Sequence, residues 1–351
     1  MSPASAMLLQ AATRRSGSPW LVLGGEAELV LALAAALPRS RIEWQPVDHR
    51  QVAAVPADSS AISVCPIETG HQDAEGILLP VPPDRGLARR WLLVARQRLA
   101  PGGTLLVAGA NAEGIRSVIA DATALFGSPE FERFGQKQRI AAFGSPSVAA
   151  PPDPGWAGER GIAPGSWAPL TIETGHESLS LVTRAGVFAG ARLDAGTRLL
   201  LDALPVPISG SVLDVGCGVG AIGIVAAMRG ADSVVLSDVN LLAIAATRQN
   251  VHDLNLPQCE VVAGDVYAGL PGRQFDLIVS NPPFHHGKAV DFSVADRLIG
   301  EAPQHLESGG RLLLVANAFL AYGKRMQHVF RQVETVASTR QFHVLAASEP
   351  R

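Results

Sequence analysis

The sequence predicts an α/β fold in which two Rossmann-like domains follow one another, the first a degenerate copy of the second. Two observations lead to this prediction. The segment SVLDVGCGVGAIGIVAAMRG reads as a buried strand, a glycine turn and a helix, and further apolar strands alternate with helical segments after it. The chain also repeats itself weakly at a spacing of about 200 residues, which indicates duplication of a βαβ-rich domain.

Three pairs of segments carry the repeat. LVLGGEAELVLALAAAL corresponds to VLDVGCGVGAIGIVAAM, SAISVCPIE to DLIVSNPPF, and RRWLLVARQRLAPGGTLLVAGANA to DRLIGEAPQHLESGGRLLLVANAF. In the first copy Val22 stands where Asp214 does, Gly24 is the clear counterpart among the loop glycines, and Cys65-Pro66 replaces an Asn-Pro pair. We therefore expect no cofactor site in the first copy.

The domain boundaries follow from the repeat and from a change in composition. We expect a degenerate domain over 1–145, a linker rich in proline and glycine over 146–170, and the working domain over 171–351. In the working domain we place parallel strands near 211–216, 233–238, 259–264, 275–280 and 310–316, antiparallel strands near 332–348, and helices over 220–229, 241–254 and 293–307.

The glycine turn of the second copy is a candidate cofactor loop. Asp214, Gly216, Gly218 and Gly220 form a D-x-G-x-G-x-G pattern after a buried strand. Glycines permit unusual backbone angles and let a ligand approach the main chain closely. Nicotinamide and flavin folds use related turns, so the loop alone does not define the cofactor.

Two acidic residues end the next two predicted strands. Asp238 closes SVVLSDVN, where a carboxylate can accept hydrogen bonds from both hydroxyls of a ribose. Asp265 in VVAGDVY is a candidate contact for an adenine amine, and the alternative for it is a solvated carboxylate at a strand end.

The most informative motif is Asn281-Pro282-Pro283-Phe284, which follows the strand FDLIVS. A planar nitrogen is a poor nucleophile because its lone pair is delocalised, and a site helps by accepting hydrogen bonds from both N–H groups. The Asn281 side-chain oxygen and the Pro282 carbonyl are two such acceptors; proline fixes φ and has no competing N–H. Phe284 can stack on a flat substrate.

Beside the glycine loop, this motif indicates methyl transfer from S-adenosylmethionine (SAM) to a planar nitrogen. An Asn-Pro turn after a buried strand is the alternative for the motif alone. A dehydrogenase would share the glycine loop and Asp238 but has no use for the Asn-Pro-Pro-Phe segment. We therefore predict a SAM-dependent methyltransferase.

Bulk properties bound the class of protein. The 351 residues allow two domains with separate cores, and 47% apolar with 17% charged residues is typical of a soluble α/β protein. The net charge of −3 gives no global attraction to nucleic acid, so an RNA substrate must be attracted by local basic patches. The cysteines, Cys65, Cys217 and Cys259, form no metal-ligand pattern, and we expect no metal.

The sequence also predicts a cytoplasmic protein without a membrane partner. No apolar run reaches the length of a membrane span. The N-terminal MSPASAMLLQAATRR has its arginines after a short apolar stretch, which is the wrong order for a secretory signal. Oligomeric state is not predicted.

The first domain is left with scaffolding and substrate docking. Its helix RGLARRWLLVARQR places Arg85, Arg89 and Arg96 on one side and turns Leu87 and Trp91 toward a core. The arginines form either a solvated basic face or a contact to RNA phosphates.

The second half resembles the bacterial ribosomal RNA guanine-N2 methyltransferases of the RsmC/RlmG type, which are duplicated class I methyltransferases with a degenerate first domain. The segments that carry the resemblance are GVFAGARLDAGTRLLLDALP, VLDVGCGVG, LSDVN, FDLIVSNPPFHHGKAVD and VANAFLAYGKRM. It covers about residues 171–348 strongly and the first 145 more faintly. It implies N2-methylation of a guanine in ribosomal RNA, with the 16S RNA of the small subunit as the expected substrate.

The resemblance also assigns roles to residues. It implies a target-base site at Asn281, Pro282, Pro283 and Phe284, and a SAM site at the glycine loop with Asp238. Phe188 and the turn from Asp194 to Thr197 resemble the segment that closes over the cofactor. His286 stands where the family has an acidic residue; because a methylated amine loses its proton readily, no base is required, and a structural or substrate-edge role is expected for His285 and His286.

Three alternatives stay open at this point. The same chemistry on 23S RNA of the large subunit is the nearest. Methylation of a glutamine nitrogen in a protein is the second, although Phe284 rather than Tyr agrees with the guanine-N2 group. The third is a non-catalytic ribosome-assembly factor that binds RNA, which would have no need for Asp214, Gly216, Asp238 and Asn281.

Overall fold

The computed structural model describes residues 1–15, 17–65, 73–145, 152–188, 192–283 and 293–351. The chain divides into two compact units. The first comprises Met1–Trp167 with Arg184–Gly186, and the second comprises Ala168–Thr183 with Val187–Arg351. The described part of the predicted linker up to Trp167 therefore lies in the first unit.

The first unit is an α/β sandwich. Its strands are β1 (Trp20–Leu23), β2 (Ile42–Gln45), β3 (Ile62–Val64), β4 (Ala74–Pro80), β5 (Leu99–Ala110), β6 (Phe131–Gly135) and β7 (Gln138–Gly144). Its helices are α1 (Pro3–Ala12), α2 (Ala27–Ala36), α3 (His49–Ala53), α4 (Arg85–Arg98) and α5 (Ile115–Phe126), with 3-10 turns at Asn111–Glu113 and Gly155–Gly158.

One mixed sheet runs through the first unit in the order β3-β2-β1-β4-β5-β7-β6. The strands β1 to β5 pair in parallel, and β7 and β6 add an antiparallel edge. β1 is buried along its whole length, as expected for a central parallel strand covered by helices on both faces.

Helix α4 carries the predicted basic face, and two of its arginines form ion pairs within the first unit. Asp84 caps its N-terminus, and Leu87 and Trp91 are buried as predicted. Arg85 and Arg89 both donate to the carboxylate of Asp121 on α5, with Nε–Oδ2 distances of 2.9 and 3.1 Å. Burial alone would raise the pKa of Asp121, but the hydrogen bonds from the two arginines lower it below its usual value.

The remaining arginine of the predicted basic face is also engaged. Arg96 donates to Asp153 with an Nη1–Oδ1 distance of 2.6 Å, and the guanidinium of Arg89 lies over the ring of Trp156. All three arginines of the predicted basic face therefore form ion pairs within the protein, and reversing their charges would break these pairs.

Sequence reasoning did not identify the buried arginine of this helix. Arg90 is 1% exposed, and its Nη1 atom donates to the carbonyl oxygens of Gly161 and Ala163 at 3.1 and 2.9 Å. It therefore fixes a turn of the otherwise irregular segment that precedes the second unit.

The second unit repeats the architecture with an added hairpin. Its strands are β8 (Ala168–Glu173), β9 (Ser178–Thr183), β10 (Ser211–Val215), β11 (Ser233–Asp238), β12 (Cys259–Ala263), β13 (Phe275–Ser280), β14 (Leu306–Asn317), β15 (Phe330–Ser338) and β16 (Phe342–Pro350). Its helices are α6 (Ala195–Ala203), α7 (Ala221–Met228), α8 (Leu241–Asp253), α9 (Ser293–Glu301) and α10 (Tyr322–Val329), with a 3-10 turn at Ala302–Gln304.

The large sheet of the second unit has the order β12-β11-β10-β13-β14-β16-β15, and β8 pairs with β9 separately. The predicted parallel strands and the antiparallel pair at the end are present. The predicted helix 293–307 was too long, because α9 ends at Glu301. Pro303 lacks an N–H and disfavours a helical conformation for the residue before it, and β14 begins at Leu306.

The two sheets have the same strand order, which confirms two Rossmann-like domains of one topology. Val22 pairs with Leu78 as Asp214 pairs with Val279, so Val22 is the counterpart of Asp214. The predicted pairing of SAISVCPIE with DLIVSNPPF is wrong, because Ile62–Val64 occupies the edge position that Cys259–Ala263 occupies in the second sheet.

The counterpart of the Asn-Pro-Pro segment lies at the end of β4 instead. Leu78 of β4 pairs with Leu106, and Val279 of β13 pairs with Leu313 in the equivalent strands, so Leu78 and Val279 are counterparts. Pro80 and Asn281 each lie two residues further along, so Pro80 is the counterpart of Asn281. The first unit has thus exchanged both a buried carboxylate and a side-chain amide for groups that offer a ligand no side-chain hydrogen bond.

Two tryptophan side chains, Trp91 and Trp44, lie directly beside the glycine turn of the first unit. Gly24 has a φ of +73°, and a Cβ at this position would lie 2.4 Å from the ring of Trp91. The indole N–H of Trp44 donates to the Gly24 carbonyl at 2.7 Å. Space that a ligand would need beside this turn is therefore occupied by the core of the unit.

No helix within the described ranges is both long and apolar enough to cross a lipid bilayer. Among the same residues there is no cluster of three or more histidine, cysteine, aspartate or glutamate side chains arranged to hold a metal ion.

Candidate active site

The glycine loop joins β10 to α7, and within it Gly216 is exposed and Gly218 half-buried. Gly216 and Gly218 have φ angles of +71° and +60°, and a Cβ added to either would meet no atom within 4 Å. Gly220 differs, since a Cβ there would lie 2.9 Å from Thr247. The first two glycines thus leave open space for a ligand, whereas the third lets α7 pack closely on its neighbours.

Two side chains from outside the loop hold it in place. The N–H of Gly218 donates to Oδ2 of Asp238 at 2.8 Å, and the hydroxyl of Thr247 donates to the Gly218 carbonyl at 2.9 Å. Asn250 adds a third anchor, because its Nδ2 atom donates to the Val219 carbonyl at 2.9 Å. Sequence reasoning missed Asn250, since an asparagine inside a helix gives no signal that its side chain supports a distant loop.

Asp238 ends β11 beside the loop, as predicted. Its Oδ1 atom accepts from the N–H of Asn240 at 2.8 Å while Oδ2 accepts from Gly218. Asp238 therefore holds both the glycine loop and Asn240, the residue that caps α8.

Asp214 is fully buried at the end of β10. Its Oδ2 atom accepts from the N–H of Gly223 at 2.8 Å, but its Oδ1 atom has no hydrogen-bond partner within the described part of the chain. Burial raises the pKa of Asp214 to about 7; the Gly223 hydrogen bond opposes this shift and the negative charge of Asp238 adds to it. An unsatisfied acceptor next to an open glycine loop fits a ligand with hydrogen-bond donors or positive charge, such as SAM.

We expect Asp214 to make the stability of the ligand-free protein depend on pH. Its usual pKa of 3.8 applies in the unfolded chain and a value of about 7 in the folded one, so the folded state binds more protons between these values. The free energy of unfolding should therefore fall as the pH rises through this window. Asp214→Asn should flatten the fall, as measured by urea unfolding at about pH 5 and about pH 8. Identical pH dependence in the two proteins would contradict the assignment.

Asn281 follows β13, the strand next to β10 in the sheet, and its amide is held by two acceptors. Nδ2 donates to Oγ1 of Thr197 at 2.8 Å and to Oδ2 of Asp194 at 3.1 Å. Asp194 also caps α6, accepting from the N–H of Thr197 at 3.1 Å. No described residue donates to the Asn281 oxygen, so these two bonds fix the orientation of the amide and leave its oxygen as an acceptor.

The rest of the Asn-Pro-Pro-Phe motif is only partly described. Pro282 is buried and Pro283 is exposed. The hydroxyl of Ser280 donates to the Val215 carbonyl at 2.8 Å, which joins the strand before the motif to the strand before the glycine loop. Phe284, His285 and His286 lie outside the described residues.

Asp265 and Phe188 have different surroundings. The carboxylate of Asp265 accepts from Nη1 of Arg297 at 2.7 Å, and Nη2 of the same arginine donates to the Asp265 carbonyl at 3.2 Å. A contact from Asp265 to an adenine amine would have to coexist with this ion pair. Phe188 is 64% exposed.

The structure thus brings Asn281 together with the Asp194-to-Thr197 turn, which the sequence reading treated as a separate segment near the cofactor. The helix α6 was not among the predicted helices. An aspartate three residues before a threonine, followed by LLLDAL, is a helix-start signal that could have revealed it. The link from that cap to Asn281 spans 87 residues in sequence and has no local signature.

Comparison with known proteins places this site in a family. The model of the "Methyltransferase small domain" family matches residues 178–346. Ribosomal RNA small subunit methyltransferase C of Chromohalobacter salexigens is 36% identical over 280 residues, which cover 79% of each chain. The protein of the same name from Photorhabdus laumondii is 29% identical over 358 residues, covering 99% of this chain and 98% of its own.

A solved structure agrees over both units. It is the Thermus thermophilus 16S rRNA N2 G1207 methyltransferase (RsmC), in complex with AdoMet and guanosine. It superposes with a TM-score of 0.82 at 25% identity and covers 99% of this chain and 92% of its own. The duplicated architecture is therefore shared along the whole length.

Proposed function

The chain belongs to the ribosomal RNA small subunit methyltransferase C family, and from this premise we propose that it transfers the methyl group of SAM to the exocyclic N2 of a guanine in 16S ribosomal RNA. The single observation that carries the proposal is the held amide of Asn281, whose oxygen is left as an acceptor one strand away from an open glycine loop. A cofactor and a planar nitrogen can meet there.

Several residues of the second unit would contact SAM. The loop with Gly216 and Gly218 would lie against SAM, Asp238 would accept from its ribose, and the free Oδ1 of Asp214 would face its donor groups. Asp265 and Phe188 are proposed as further cofactor contacts. Bound SAM supplies an electrophilic methyl group on a sulfonium with a good leaving group, so much of the catalysis can come from positioning.

On the substrate side, Asn281 and Pro282 would accept the two N–H hydrogens of the guanine amino group. These two bonds would hold the amino group and favour a lone pair on its nitrogen that is available for methyl transfer. Pro283 and Phe284 complete the proposed target-base site, with stacking on Phe284. The methylated nitrogen then loses a proton to water, and no described side chain is needed as a base. The target base must be unpaired or flipped to reach the site.

We place the protein in the cytoplasm with ribosomal RNA or the small subunit as its partner. The first unit would act as a scaffold and docking surface for that RNA. Its loss of the carboxylate and amide at Val22 and Pro80, with Trp91 beside Gly24, supports a role without a second cofactor.

The decisive experiment is transfer of labelled methyl from SAM to purified small subunits, large subunits and the corresponding free RNAs, followed by nucleoside analysis. N2-methylguanosine from small-subunit RNA is the expected product. Label in large-subunit RNA would shift the proposal to 23S, and label that survives RNase on a protein would indicate glutamine methylation. SAM binding without transfer to any of these substrates would count against the proposal.

A further inference from the structure

The loop after β14 and the turn between β15 and β16 line a shallow, open depression of about 720 Å³ in the second unit. Its lining residues are Asn317, Ala318, Phe319, Arg340, Gln341 and Phe342. The two segments are joined by a backbone hydrogen bond of 2.8 Å from the Ala318 N–H to the Gln341 carbonyl. The walls of the depression are thus fixed by main-chain contacts.

The depression lies at the same edge of the sheet as the candidate active site. β14 runs parallel to β13 with Leu314 beside Ser280, so the loop that carries Phe319 leaves the same edge of the sheet as Asn281. A Cβ built on Gly196 would lie 2.9 Å from Oδ2 of Asp194, which accepts from Asn281, and 3.3 Å from the ring of Phe342. Gly196 therefore lies between Phe342 and the carboxylate that holds the Asn281 amide.

The lining offers an aromatic face and a positive charge. Phe319 is 71% exposed, a large apolar surface that water solvates poorly. Arg340 is exposed, and no carboxylate among the described residues pairs with it. None of the six lining residues is acidic. Aromatic faces bind nucleobases by stacking, and guanidinium groups bind phosphate in a fork geometry.

We propose that this depression binds a nucleotide adjoining the target guanine, with its base stacked on Phe319 and its phosphate paired with Arg340. The proposal rests on the proposed function, because it needs an RNA strand to enter the Asn281 site. A flipped target leaves its neighbours unstacked, and a stacking surface beside the site compensates for part of that loss. The contact does not depend on which base is present, since every base has a π-face.

The test is steady-state methylation of unmethylated 16S ribosomal RNA by the full chain. Phe319→Ala should raise the KM for RNA roughly tenfold, the effect of losing one base stack, with kcat and the SAM dissociation constant near wild type. Phe319→Trp should keep the wild-type KM, whereas Phe319→Leu, which retains apolar bulk without a π-face, should behave like the alanine variant.

Arg340→Ala should raise the same KM and reduce by about one the slope of log KM against log salt concentration, as expected for one lost phosphate contact. The matched control is Arg331→Ala, which removes an exposed arginine near the opposite end of β15 and should leave both quantities unchanged.

Three outcomes would overturn the proposal. They are an unchanged KM for RNA in Phe319→Ala, wild-type behaviour of Phe319→Leu, and a loss of SAM affinity equal to the loss for RNA, which would indicate a structural role. If the wild-type chain methylates RNA and these variants match it, only this inference fails. If the wild-type chain transfers no methyl to RNA, the proposed function fails as well.

Discussion

Asn281→Ala is expected to lower the kcat of methyl transfer by about two to three orders of magnitude, with the SAM dissociation constant close to wild type. The magnitude is that of removing one preorganised group that acts on the reacting atoms. The substitution removes the oxygen that would orient the guanine amine. It leaves the glycine loop and Asp238 untouched, and these are the groups proposed to hold the cofactor. Single-turnover transfer to 16S RNA and calorimetric titration with SAM measure the two quantities.

Two variants separate the chemical role of Asn281 from its packing. Thr197→Val keeps the shape of the side chain but removes the acceptor 2.8 Å from Nδ2, so the amide should be held less firmly and kcat should fall by a smaller factor. Thermal unfolding of both variants checks that the unit remains folded. Undiminished transfer by Asn281→Ala would remove the central claim about the site.

The second large effect is expected on cofactor binding. Asp238→Ala should raise the SAM dissociation constant by about one to two orders of magnitude, because hydrogen bonds to a charged group contribute about 1.5–3 kcal/mol. The exposed Asp253 provides a matched control. It is the last residue of α8, the helix that follows Asp238 in sequence, and Asp253→Ala removes an equal charge. That control should bind SAM normally.

Asp238 also holds Gly218 and Asn240, so its loss combines a direct and an indirect effect. A SAM analogue that lacks the 2′-hydroxyl distinguishes them. If the carboxylate binds the ribose, Asp238→Ala should weaken binding of this analogue less than it weakens binding of SAM. Equal weakening would assign the whole effect to the loop, and an unaltered SAM affinity would mean that the ribose lies elsewhere.

The large sheet of the second unit and the helices α7 and α8 could be predicted from sequence, whereas β8, β9, α6 and α10 were not predicted. Central parallel strands such as β10 and β13 are buried on both faces and therefore stand out as continuous apolar runs. The glycine loop and the Asn-Pro-Pro segment are short-range patterns, so their order along the chain was sufficient to predict their meeting at one edge of the sheet. Where α9 was predicted too long, the proline at 303 was a readable signal.

What could not be predicted depends on contacts between distant residues. Arg85 and Arg89 share one partner, Asp121 on another helix. A helical wheel shows only that the two arginines lie on the same side of α4. The alignment of Cys65-Pro66 with the Asn-Pro pair was wrong for a similar reason, because it depended on which strands are neighbours in the sheet. A short apolar run before Cys65 imitates the strand before Asn281, and the sheet order alone shows that it is the edge strand.

The packing of Trp91 against Gly24 has a consequence for how the two copies can evolve. Restoring Asp at 22 and Asn at 80 would not recreate a cofactor site, because a ring that stabilises the core occupies the space beside the turn. Removing the ring would leave a cavity, and Trp→Ala changes in cores cost about 3–5 kcal/mol. Each step back would thus pass through a less stable intermediate. Substitutions at Val22 and Pro80 alone would therefore not give the first unit a working site.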